Sequence, residues 1–331
     1  MMINNRLKIA CALLASSPAF AHDWNSARPD SHAPISVMGE HTHKAGEFML
    51  SYRHMKMDMD TLQDGTSTVS AQGLLDSGSY MMAPTKMSTQ MHMLGMMYAP
   101  TNNTTTMVML PYIEKDMDML MKMNAMTMQQ SMESNGVGDL KLGALHNIYD
   151  QGGQKIHLNL MMSVPTGSID EENSSGAVLP YNMQLGSGTV DLLPGITINM
   201  QKDSYSMGAQ AQATIRLGDN ERDYSLGNRF KVQGWLQKPV HNSVSLSVRL
   251  AFDKWQDVDG KDSELNPMMN PLADANLQAG SRVSAGLGMN LTLPSGNRLA
   301  VEYNKELQQD LDGPQMAMDN SLVLAWQFSF K

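Results

Sequence analysis

Alternation with a period of two predicts an all-β fold, a transmembrane antiparallel up-and-down β-barrel of about twelve strands. Three observations carry this. The last ten residues alternate Leu322, Leu324, Trp326, Phe328 and Phe330 with Ser321, Val323, Ala325, Gln327 and Ser329, which puts the large apolar set on one face of a strand. Similar segments recur along the chain, each about 10 to 13 residues long, longer than the usual globular strand and right for a tilted membrane strand. The connections between them alternate short and long, as they do in a barrel whose turns face one side of a membrane and whose loops face the other.

The elements follow in order. Residues 1–21 read as a secretory signal: Arg6 and Lys8, then the apolar run from Ile9 to Ala15, then the A-x-A pattern Ala19-Phe20-Ala21. Cys11, the one cysteine, lies inside it, so the mature chain can form neither disulfides nor thiolate metal sites. Residues 22–44 form an irregular N-terminal extension that either plugs the lumen or hangs free, and the barrel takes residues 45–331. Strand-like segments start near residues 46, 86, 105, 138, 154, 188, 204, 227, 243, 277, 298 and 319. In the fifth, Ile156, Leu158, Leu160, Met162 and Val164 alternate with Lys155, His157, Asn159, Met161 and Ser163. In the ninth, Val244, Leu246, Val248, Leu250 and Phe252 alternate with Ser243, Ser245, Ser247, Arg249 and Ala251. Short connections fall at 99–104, 150–153, 201–203, 238–242 and 294–297. Long ones fall at 60–85, 117–137, 166–187, 218–226, 256–276 and 305–318. Both termini then lie on the short-turn, periplasmic side.

Composition narrows the function. No apolar stretch beyond the signal is long enough to cross a bilayer as a helix. A mean hydropathy of -0.31 fits alternating strands, whose two faces average out. A net charge of -9 and a pI near 5.4 argue against a nucleic-acid partner. There is no G-x-S-x-G, H-E-x-x-H, P-loop or dinucleotide fingerprint, so neither an enzyme nor a required cofactor is expected. Asp257, Asp259, Asp262 and Glu264 form an incomplete calcium-like loop, for which a solvated acidic loop is the better reading.

The terminal aromatic strand resembles that of bacterial outer-membrane barrels, although Lys331 follows the final aromatic. Three further stretches are Gly136-Val137-Gly138-Asp139-Leu140-Lys141-Leu142-Gly143, Ser163-Val164-Pro165-Thr166-Gly167-Ser168 and Gly186-Ser187-Gly188-Thr189-Val190-Asp191. Together they resemble the G-x-G-D, P-T-G-S and G-x-G-x-x-D pattern of the family called MetA-pathway of phenol degradation, over roughly residues 40 to 331. The resemblance implies a barrel in the outer membrane of a Gram-negative bacterium, with lipid around it. By themselves these motifs read as structural, since Gly supplies turn dihedrals and Pro ends ladder pairing.

Methionine is the unusual residue. Of 33 in the chain, 21 fall between Met38 and Met132. Met55, Met57 and Met59 close the first strand. Met91, His92 and Met93 lie in the second, and Met107 and Met109 in the third. Met117, Met119, Met121 and Met123 run through the loop that follows it. The topology gathers many of them at one sector of the outer mouth. Met55 and Met57 share the face of Ser51 and Arg53, opposite Phe48, Leu50 and Tyr52, so they face the lumen if the aromatics face lipid. Two sulfurs on one strand face, with a third across the ladder or an imidazole from His92, suit Cu(I). Thioethers stay neutral at any pH, and weak sites favour capture and hand-over. His22, His32, His41, His43 and His54 could form a periplasmic acceptor, His41-Thr42-His43 above all. The plainer alternatives are methionine as generic apolar filler or as an oxidant sink. The expected function is passage or capture of a small solute, with copper or another soft metal ion as one cargo and an aromatic or hydrophobic molecule as the rival. A structural barrel with no transport role is the third reading. Oligomeric state and transport direction are not legible.

Overall fold

In the computed structural model, which describes residues 24–123, 126–293 and 296–331, the chain closes into a twelve-stranded antiparallel barrel. The strands are β1 Phe48–Met59, β2 Met82–Tyr98, β3 Thr104–Met123, β4 Leu140–Gln151, β5 Gln154–Val164, β6 Val190–Gln201, β7 Ser206–Leu217, β8 Arg229–His241, β9 Val244–Trp255, β10 Gly280–Thr292, β11 Asn297–Ala317 and β12 Asn320–Phe330. Each pairs with its sequence neighbours, and β12 returns to β1 from Phe48↔Phe330 to Asp58↔Asn320. Closure pairs all twelve of these strands on both sides, as a strand structure in lipid requires. Every strand begins within four residues of its expected position. The signal segment, Cys11 and His22 lie outside the described residues.

The two faces divide as the alternation dictates. Leu250, Leu246, Leu324 and Trp326 are exposed on the outer wall, while their neighbours Arg249, Ser245, Val323 and Ala325 are buried within. An apolar belt of this kind faces the hydrocarbon of a membrane. On β1 to β3, Phe48, Leu50, Tyr52, Val108, Leu110 and Tyr112 face out, and Met49, Met93, Met97, Met107 and Met109 are buried inside.

Two segments expected as loops are strands instead. β3 runs on to Met123, and Met126–Val137 returns beside it, from Tyr112↔Val137 to Met123↔Met126. β11 continues to Ala317, through most of the span expected to be irregular. Above the membrane the outward positions no longer need to be apolar. Asp116, Asp118 and Lys122 occupy them on β3, and this hides a period of two that the methionines themselves keep. β3 changes neighbour midway, because its first half pairs with β4, from Thr104↔His146 to Met109↔Lys141. Pro111, with no N–H for a ladder, stands at the change-over, and its carbonyl accepts from Gly138 N at 2.9 Å.

The remaining long connections fold over the outer end. Helix α1 Ala71–Asp76 is capped by Ser70, whose Oγ accepts from Gly73 N at 3.0 Å. Leu75, Leu179, Met183 and Leu272 from three loops pack on Met82, Met87, Met117, Met119, Met132 and Met316.

At the opposite end, residues 24–47 run up inside the barrel and back. Their carbonyls are met by the polar wall. Ser245 Oγ donates to Pro29 O (2.8 Å), Gln237 Nε2 to His32 O (2.6 Å), Gln210 Nε2 to Met38 O (2.9 Å) and Asn199 Nδ2 to Glu40 O (2.7 Å). The lumen's Gln, Asn and Ser residues thus satisfy backbone that would otherwise be buried and unpaired. The segment turns near Gly39, at φ +60°, where a Cβ would stand 2.8 Å from Asn159 Nδ2.

Candidate functional site

The register aligns methionines across the wall. Met59, Met87, Met117 and Met132 stand in one cross-strand row near the outer end. Met49, Met97 and Met107 form a second near the periplasmic end, with Met55↔Met91 between the two. Neighbours in such rows stand about 5 Å apart at the backbone.

The rows have different surroundings. The outer row lies within the apolar packing under α1 and the loops, not on an open rim: Met117 is 1% and Met119 0% exposed. Met87 Sδ accepts from Asn182 Nδ2 at 3.6 Å and Met119 Sδ from Asn270 Nδ2 at 3.8 Å. Met59 and Met121 pack against the same cluster, Met57 is half-buried, and Met123 is 50% exposed beyond it.

Below the loops is an internal cavity of about 620 Å³. Met38, Met55, Met91, Met93, Pro111 and Ile113 face it, as do Lys141, Arg216, Arg229 and the carboxylates of Asp139 and Asp191. A smaller cavity of about 30 Å³ lies next along the wall, faced by Met49, Met93, Met97, Met107 and Met109 with Arg53, Glu40 and His41. That space holds about two waters. A vestibule of about 380 Å³ follows at the periplasmic end, faced by His32, His41, His43, Met49, Glu47 and Arg298. Met93 borders the first two spaces, and Met49 and His41 border the last two.

Three histidines of the inserted segment meet there. Glu40 Oε1 lies 2.7 Å from His41 Nδ1 and 3.1 Å from His32 Nδ1, and His41 Nε2 lies 3.1 Å from His43 Nε2. Burial lowers the pKa of all three imidazoles, His43 to about 4, so they are neutral and keep lone pairs at neutral pH. Glu40, Arg53 and Arg298 of this cluster carried no signal in the sequence. Met49 and Met97 did, through their place on the alternation.

Two expected ligands stand elsewhere. His92 and His54 are on the outer face of the barrel, ring centroids 4.7 Å apart, with His92 Nδ1 2.7 Å from Tyr52 Oη. The reason is the period of two: His92 alternates with Met91 and Met93, so it cannot share their face. The acidic loop is solvated at Asp259 and Glu264 but tied down elsewhere. Arg222 holds Asp262 (2.5 Å), Glu264 (2.8 Å) and Asp170 (2.9 Å), while Asp257 Oδ1 accepts from Gln278 N and Ala279 N (2.9 and 2.7 Å).

The three glycine-rich motifs converge at one point. Asp139 Oδ1 accepts from Gly167 N (3.0 Å), and Oδ2 accepts from Ser187 N (2.8 Å) and Ser187 Oγ (2.9 Å). Ser187 Oγ also reaches Asp191 Oδ2 at 3.3 Å, and Asp191 pairs with Arg216. A Cβ on Gly186 would stand 2.6 Å from Asp139 Oδ1 and 2.7 Å from the Gly167 carbonyl carbon. The motifs latch the loop between β5 and β6 onto the start of β4, at the rim of the large cavity.

The fold matches that of a known outer-membrane channel. The COG4313 outer membrane channel from Pseudomonas putida F1 superposes with a TM-score of 0.62 at 13% identity, covering 89% of this chain and 99% of that one. The Pseudomonas putida toluene transporter TodX gives a TM-score of 0.43 at 8% identity, covering 94% and 99%, a likeness too distant to argue from. A comparison with curated proteins found no match. The family model described as MetA-pathway of phenol degradation matches residues 60–310. This outer-membrane barrel therefore belongs to that family, and its three glycine motifs form a loop latch within it.

Proposed function

We propose that the barrel passes a soft metal ion, Cu(I) foremost, along the methionine face of its lumen. The observation that carries this is the sharing of lining residues. Met93 lines both the large cavity and the small one, and Met49 and His41 line both the small one and the vestibule. A thioether-faced route thus ends on neutral imidazoles. Soft thioethers and imidazoles suit Cu(I), and flexible methionines can follow an ion as it moves. The outer row, packed under the loops, would serve as filler, and entry would require those loops to part. The test replaces Met38, Met55, Met91 and Met93 together by Leu, which keeps apolar volume. Copper accumulation by cells carrying this variant should fall toward that of a deletion strain; accumulation at the parental level would sink the proposal.

A second reading rests on other residues of the same cavity. Lys141, Arg216 and Arg229 line it together with Pro111, Ile113 and Leu193, a setting for a small molecule with an apolar body and an anionic end. The family's description points the same way. Uptake of a labelled aromatic carboxylate that is lost in Lys141→Gln and kept in the methionine variant would favour it. Absence of single-channel conductance in planar bilayers would favour a purely structural barrel over both.

A further inference from the structure

The inserted segment brings together more ligating chemistry than a plug needs. Among the described residues, His32, Glu40 and His41 offer ligand atoms all within 4.8 Å of one another, and His43 adds a fourth group through its contact with His41. We propose that this cluster is a copper site at the periplasmic exit of the lumen, with Nε2 of His41 and Nε2 of His43 as ligands to one Cu(I) ion. It deepens the proposed function and rests on that reading only for the ion's route.

The geometry selects these atoms. Glu40 Oε1 lies at 2.7 Å from His41 Nδ1, so that nitrogen carries the proton and donates to the carboxylate. Nε2 is left with its lone pair and accepts from His43 Nε2 3.1 Å away; when the ion replaces that bond the His43 proton moves to Nδ1, 3.5 Å from Glu47 Oε2. Two ligand nitrogens about 2.0 Å from a metal stand about 3.3 Å apart in a tetrahedral arrangement and about 4 Å apart in a linear one. A small opening of the pair therefore admits the ion. A carboxylate backing a ligand imidazole through its other nitrogen is the usual way such a ring is oriented and made more basic. Glu40 and His32 are thus positioning residues. Glu40 Oε2 is buried with no hydrogen-bond partner among the described residues, so the carboxylate is not fully used by the surrounding fold.

Charge decides which ion. Arg298 lies 3.9 Å from Glu40 Oε1 and already offsets its negative charge. Glu47, with Oε2 3.5 Å from His43 Nδ1, is the carboxylate that remains, and its single charge balances a monovalent ion but not a divalent one. Access fits as well, because His41 borders both the small methionine-faced cavity and the vestibule.

The test uses the full mature protein, purified in detergent and loaded anaerobically with Cu(I) against a chromophoric Cu(I) chelator. X-ray absorption should show a nitrogen shell, distinct from sulfur scatterers about 0.3 Å further out. His41→Gln and His43→Gln should each weaken this binding at least tenfold, while His146→Gln on the outer wall should not. Heat-modifiable migration on gels identifies the variants that still fold. A shell of sulfur alone, or wild-type affinity in a folded His41→Gln/His43→Gln double variant, would overturn the proposal. So would binding lost in Glu40→Gln and kept in His43→Gln, which would put the ion on the carboxylate side. Binding in detergent involves no passage, so failure of the methionine route in cells leaves this result standing, and the reverse also holds.

Discussion

Replacing Asp139 by Ala should open the outer end of the barrel. The carboxylate receives three hydrogen bonds, two from backbone N–H groups of Gly167 and Ser187 and one from Ser187 Oγ, at 2.8 to 3.0 Å. Hydrogen bonds to a charged group contribute about 1.5–3 kcal/mol each. The alanine variant forfeits all three, but Ser187 Oγ retains Asp191, and water can reach donors at the cavity rim. A net loss of at least about 2 kcal/mol remains, which shifts the latched-to-open ratio about 30-fold. The barrel ladder is untouched, so the perturbation should stay in the loop between β5 and β6. Gly186→Ala tests the same latch without altering charge, because the new Cβ would stand 2.6 Å from Asp139 Oδ1. The assay is single-channel conductance in planar bilayers, paired with limited proteolysis of residues 166–189. Both variants should show more frequent openings and faster cleavage in that loop, with unchanged heat-modifiable migration. Conductance and cleavage rates equal to wild type in both would refute the latch.

Other expectations follow from the packing. Met119→Ala should destabilise the protein by about 2–5 kcal/mol and Met119→Leu by less than about 1.5 kcal/mol, read from urea unfolding. A large cost for the Leu variant would mean that this thioether is more than apolar volume. Glu302, fully buried, accepts from Arg249 Nε at 2.7 Å and from Ser36 N at 2.8 Å. Glu302→Ala should cost about 3–5 kcal/mol by leaving Arg249 without its carboxylate, and should also loosen the inserted segment, detected as faster hydrogen exchange at residues 33–38. Deleting residues 24–43 should raise single-channel conductance, since this segment fills the periplasmic half of the lumen; unchanged conductance would place the constriction in the outer loops.

What the sequence made legible was whatever the bilayer enforces. The strands from Phe48 to Phe330 could be placed within a few residues because lipid demands an apolar residue at every second position. The same rule assigned Met107 and Met109 to the lumen from Val108 and Leu110 alone. Beyond the membrane that constraint lapses, and the hairpin of β3 with Met126–Val137 went unseen although its methionines keep the period. His92 shows the cost of reading spacing without faces: neighbours in sequence on a strand are strangers in space.

The inserted segment was illegible for a deeper reason. Residues 24–47 have no periodicity, and nothing in them announces a buried position. Their placement is encoded across the barrel, in Gln210, Gln237, Asn199, Ser245 and Arg298, each of which donates to a carbonyl more than 150 residues away. Read alone, these residues say only that the lumen is wet. Together they form a lining that satisfies one particular backbone, and backbone hydrogen bonding is a near-complete accounting in folded proteins. The wall therefore holds the segment by its carbonyls and leaves its side chains free for chemistry. That is why His41 and His43 can meet Nε2 to Nε2 at the periplasmic end of the lumen.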